Sequence, residues 1–136
     1  MNHSFLAESN MSSPKTRVLL TGASGTVGYE VLRQLHRDKH VDLTVFDVKN
    51  KKSARLFKPF ASTTKIVFGD ITKPEDVMKI TPNQDVVIHL AAIIPPVADE
   101  NPELAYRVNV NGTRLLVESL ENVSPNAFLM YSSSIS

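Results

Sequence analysis

The chain has no cysteine. That excludes disulfides, thiolate metal sites and cysteine nucleophiles, and it fits a reducing cytosol. There is little net charge either: 15 Lys+Arg against 14 Asp+Glu give +1. No charge field draws the chain to nucleic acid or to a membrane surface, and no basic stripe is present. No apolar run approaches the roughly 18 residues of a membrane span. The N-terminal MNHSFLAESNMSSPK lacks the apolar stretch of a signal peptide. No repeat or low-complexity tract interrupts the pattern. The expectation is a cytoplasmic protein with a small-molecule substrate and without nucleic-acid, membrane or metal partners.

What is present is an ordinary globular composition. The 136 residues are 42% hydrophobic and 21% charged, enough for one domain with a core of its own. Residues 1–14 are polar and aperiodic and read as a disordered tail; 15–136 read as one domain. From residue 16, short β-rich runs alternate with helical runs. Thr16–Thr21, 41–48, Lys65–Phe68, 85–90 and 127–132 read as strands. Residues 25–38 read as a helix, with Val27, Val31, Leu32 and Leu35 at helical spacing. Lys51–Phe57 follows as a short helix stopped by Pro59, then 74–80 with proline in its first turn, then 102–121 as the longest. Five nearly continuous apolar strands alternating with four helices predict a parallel sheet covered on both faces. That is a doubly wound α/β fold of Rossmann type.

The first strand runs straight into Thr21-Gly22-Ala23-Ser24-Gly25-Thr26-Val27-Gly28, where a helix opens. Such a turn is a phosphate cradle. Gly22 permits the sharp exit from the strand, and Gly25 lets backbone N–H groups approach a pyrophosphate. Gly28 lets helix and strand pack closely. Thr26 and Val27 lie in the first helical turn, whose open N–H groups and positive dipole end face the diphosphate. Asp47 ends the second strand, 19 residues past Gly28. A carboxylate there accepts a ribose 2′-OH and repels a 2′-phosphate, which favours NAD over NADP. Lys49, Lys51, Lys52 and Arg55 follow it and keep NADP as an alternative.

The spacing T-G-x-x-G-x-x-G, with the segments after it, resembles the extended short-chain dehydrogenase/reductase family of NAD-dependent epimerases and dehydratases. Gly69-Asp70-Ile71-Thr72 looks like that family's G-D-[IL] element, which implies that Asp70 and the Ile71 amide contact adenine. His89-Leu90-Ala91-Ala92 is similar to its H-x-A-A segment, which implies that Leu90, Ala91 and Ala92 pass close to the diphosphate and the nicotinamide ribose. His89 itself reads as a packed, hydrogen-bonded residue. Asn109-Val110-Asn111-Gly112-Thr113 matches N-V-x-G-T, so Asn109 is expected to hold the backbone beyond the fourth strand. Tyr131-Ser132-Ser133-Ser134 resembles the segment whose third serine, here Ser134, binds the reacting hydroxyl or carbonyl.

The family's chemistry also needs Tyr-x-x-x-Lys. Four residues after Tyr29, Tyr106 and Tyr131 stand Arg33, Val110 and Ile135, so the pair is not in this sequence. The resemblance thus implies the N-terminal cofactor part of a longer, homodimeric hydride-transfer enzyme. It would act on a nucleotide-sugar or similar substrate, and this polypeptide alone would be inactive. A dinucleotide sensor without catalysis is the alternative. The fifth strand is expected to be a bare apolar edge.

Overall fold

The structure, a computed structural model, describes residues 14–131. Residues 1–13 and 132–136, and with them most of the expected tail and Ser134, lie outside the described residues.

The five strands are β1 (Thr16–Thr21), β2 (Val41–Asp47), β3 (Lys65–Phe68), β4 (Val86–His89) and β5 (Phe128–Tyr131). They form one sheet in the order β3-β2-β1-β4-β5, every neighbouring pair parallel. The doubly wound α/β expectation is met. The last four residues of β1 and the last five of β2 are buried, as central strands should be, whereas β5 is largely exposed.

The helices are α1 (Thr26–Leu35), α2 (Lys51–Phe57), α3 (Pro74–Val77), α4 (Val97–Glu100), α5 (Pro102–Tyr106) and α6 (Thr113–Val123). Pro59 does end α2, and the chain continues as a 3-10 turn over Lys58–Phe60. Two expectations need correction. The segment 102–121 is not one helix: a π-helical stretch, Arg107–Gly112, separates α5 from α6. The predicted 74–80 helix ends at Val77, and α4 was not anticipated. Hydrophobic period reports which face is buried but not the hydrogen-bond register, so a π segment leaves no mark on it.

Two apolar layers cover the sheet. Val18, Leu20, Leu43 and Val45 pack with Leu32 of α1 and with Phe57 and Phe60. On the opposite face Leu19, Phe46 and Val87 pack with Val77, Leu116 and Leu120. The period-2 alternation of the strands sends successive side chains into opposite layers. Val27, expected on the inner face of its helix, is instead 66% exposed at the first turn of α1. Among the described residues no helix is long and apolar enough to cross a membrane.

Candidate functional site

Strand order reverses between β1 and β4, so the crevice of the fold opens beyond the carboxyl ends of these two strands. Gly22, Asp47, Asp70 and the 90–92 segment all follow or close strands at that end.

The glycine turn is shaped by three different demands. Gly22 has φ of +82°, and a Cβ on it would lie 2.5 Å from the Ala91 nitrogen. Only glycine meets both conditions. At Gly28 a Cβ would stand 2.2 Å from the Gly22 oxygen, so α1 packs directly on the turn. At Gly25 the nearest atom to a Cβ is 3.6 Å away, and the residue is exposed. The fold itself does not need a glycine there. Gly25 also N-caps α1 without any side-chain capping bond, which leaves first-turn amides open. An exposed cradle whose glycine answers to no protein neighbour fits a bound diphosphate. Thr26 and Val27, both exposed, form its rim.

Asp47 is buried. Its Oδ2 accepts the Ser24 amide at 2.9 Å and its Oδ1 accepts the Val48 amide at 2.8 Å. The carboxylate therefore ties the glycine turn to the end of β2, a structural task that sequence spacing did not reveal. Each oxygen keeps a lone pair for a further donor. Lys51, Lys52 and Arg55 are exposed, and Lys49 lies 5.8 Å above the Phe68 ring.

Asp70 folds back on its own turn: its Oδ1 accepts the Thr72 amide at 2.9 Å and the Thr72 hydroxyl at 2.7 Å. The N-cap of the helix that follows, α3, is Lys73. The Asp70 amide donates to Asp76 Oδ2 at 2.9 Å. Accepting that amide holds the Asp76 carboxyl below its usual range. Asp70, Asp76, Val48, Lys49, Phe68 and Gly69 line an open groove of about 400 Å³ at the ends of β2 and β3. The Ile71 side chain is buried, and a Cβ on Gly112 would come within 2.7 Å of it. The tight partner of Gly112 is thus this isoleucine rather than the sheet.

The segment after β4 is gripped from two sides. Thr21 Oγ1 accepts the Leu90 and Ala91 amides, each at 3.1 Å. Asn109, in the π segment, accepts the Ile93 amide at 2.7 Å and donates to the Ile93 carbonyl at 2.8 Å. Ala92 between them is exposed. His89 is buried, its Nδ1 2.6 Å from Thr21 Oγ1 and its Nε2 2.9 Å from Thr113 Oγ1. Burial pushes its pKa down to about 4, so the ring is neutral. Thr21 and Thr113 drew no role from the sequence. The signal was a threonine before the first glycine, paired in parallel register with a histidine: Thr21 faces His89 across β1 and β4. Among the described residues no cluster of three or more His, Asp or Glu side chains suits a metal ion.

Residues 19–136 match the 3-beta hydroxysteroid dehydrogenase/isomerase family. A decarboxylating sterol-4-alpha-carboxylate 3-dehydrogenase of Saccharomyces cerevisiae is 32% identical over 86% of this chain and 34% of its own length. A CDP-paratose 2-epimerase of Salmonella typhi is 29% identical over 86% of this chain and 36% of its own. A short-chain dehydrogenase/reductase superfamily protein from Agrobacterium tumefaciens, solved with bound NAD, superposes with a TM-score of 0.65 at 24% identity. That superposition covers 87% of this chain and 32% of the other. The chain spans about a third of the length of the curated relatives it matches.

Proposed function

Because the chain belongs to the 3-beta hydroxysteroid dehydrogenase/isomerase family, an extended short-chain dehydrogenase/reductase family, we propose that it is the NAD(P)-binding part of an enzyme acting by hydride transfer on a hydroxyl or carbonyl substrate. The observation that carries this is the glycine turn: Gly22 and Gly28 are dictated by packing, while Gly25 is dictated by nothing in the protein. When bound, the dinucleotide supplies the hydride donor or acceptor.

The chain's own residues bind and orient. Gly25, Thr26 and Val27 hold the diphosphate at the start of α1. Asp47 accepts from the adenine ribose, and Asp70 with Ile71 borders the adenine. Leu90, Ala91 and Ala92 run beneath the nicotinamide ribose, kept in place by Thr21 and Asn109. Ser134 orients the reacting oxygen. A proton-transferring Tyr-x-x-x-Lys pair has to come from residues beyond these.

The substrate is a nucleotide-sugar or a comparable secondary alcohol. A second reading, an apolar ring skeleton bearing that alcohol, is favoured by one observation: Ile94 and Val97, just past the clamped segment, are exposed.

The test is a titration of NADH and NADPH into the purified chain. We expect NADH to bind in preference to NADPH. Asp47→Ala should erode that preference and also weaken both, since the Ser24 amide loses its acceptor. Binding of neither nucleotide, here and in a version extended to the relatives' length, rejects the proposal.

A further inference from the structure

His89 touches no assigned cofactor position, yet it stands behind the segment that does. We propose that His89 is a positioning residue, neutral with its proton on Nε2, which aims the Thr21 hydroxyl so that this oxygen grips the Leu90–Ala91 backbone. This deepens the dinucleotide reading, since that segment is the one placed beneath the nicotinamide ribose, but its test needs no dinucleotide.

The hydrogen-bond geometry leaves one proton arrangement. Amide nitrogens only donate, and those of Leu90 and Ala91 both lie 3.1 Å from Thr21 Oγ1. The Leu90 N–H is shared with the Thr21 carbonyl at 3.0 Å. With both hydroxyl lone pairs facing amide protons, the hydroxyl hydrogen goes to the remaining neighbour, His89 Nδ1 at 2.6 Å. Nδ1 is then bare, the ring proton sits on Nε2, and it points at Thr113 Oγ1, 2.9 Å away. The other tautomer would bring a third N–H against the same oxygen. It would also leave a buried hydroxyl hydrogen with no acceptor among the described residues, a costly arrangement where Thr21 is fully enclosed.

The consequence reaches the site because nothing there is slack. The Gly22 backbone runs so close to the Ala91 nitrogen that a Cβ on it would lie 2.5 Å away. The Tyr131 ring meets the imidazole edge-on at 6.2 Å. A Thr21 hydroxyl free to rotate would turn its proton toward the very amides it now accepts.

Two measurements on the full chain decide. With 15N-labelled histidine at neutral pH, the His89 imidazole should show a protonated Nε2 and a bare Nδ1. A protonated Nδ1, a charged ring or an averaged signal overturns the proposal. Amide exchange in variants then separates positioning from plain packing. His89→Asn places an oxygen near the Nδ1 position and should keep Leu90 and Ala91 protection within about threefold. His89→Phe should speed exchange at those two amides by about tenfold, with β1 and β2 unchanged. Equal acceleration across the sheet in both variants also overturns it. Should His89→Phe fail to fold, the imidazole spectrum of the unaltered protein decides alone.

Discussion

Three glycines share one turn but answer to different constraints, and substitution should separate them. Gly22→Ala forces a left-handed backbone on alanine and drives its Cβ into the Ala91 nitrogen. We expect a loss of about 2 kcal/mol or more in denaturant unfolding. Gly25→Ala has ordinary backbone angles, φ −80° and ψ 170°, and open space for its Cβ. Its stability should stay within about 0.5 kcal/mol, while NADH affinity falls; unchanged affinity would remove Gly25 from the cradle. His89 supplies a pH signature of its own. Its folded pKa is depressed to about 4 from 6.5, so the unfolded chain takes up the proton first as pH falls. The stability it contributes is complete above pH 6.5. It drains away toward pH 4, by about 3 kcal/mol in all. The unfolding free energy of His89→Asn should therefore depend less steeply on pH between 7 and 5 than that of the unaltered protein.

At the scale of elements, the π segment Arg107–Gly112 carries the Asn109 clasp on Ile93. Asn109→Ala removes both bonds and leaves the Ile93 amide and carbonyl to find water. It should cost about 2 kcal/mol, with amide exchange quickening first around residue 93; exchange that quickens uniformly would deny the clasp its local role. The central strands were legible because the later residues of β1 and β2 are buried on both faces and so read as nearly continuous apolar runs. The glycine turn was legible because only glycine tolerates what Gly22 and Gly28 undergo. The break between α5 and α6 was not, since both flanks keep the same apolar period. Asp47 was placed correctly at the end of β2, but its grip on the Ser24 amide spans 23 residues and needs the folded turn to exist. Val27 misled for a related reason: helical spacing marks a face, and the first turn of that face here overhangs the crevice rather than the core.

Across the whole molecule, the sheet has β3 at one margin and β5 at the other. On β5, Phe128 is 64% exposed, and Met130 and Tyr131 are exposed beside it. Such an apolar margin favours strand-to-strand association. The chain should self-associate as its concentration rises, and Met130→Lys should shift light scattering toward monomer. A concentration-independent monomer in the unaltered protein would contradict this. The central position of β1 has a consequence for how the chain is made. Its partner Thr21–His89 contact spans 68 residues. At about 5–20 residues per second, a ribosome needs roughly 3–14 s to deliver β4 after β1 has emerged. Through that interval the strand carrying Leu19 and Leu20, later fully enclosed, has one open flank. The earliest-made of the five strands thus stays open on one flank until β4 arrives, and its shelter until then falls to the nascent chain's surroundings.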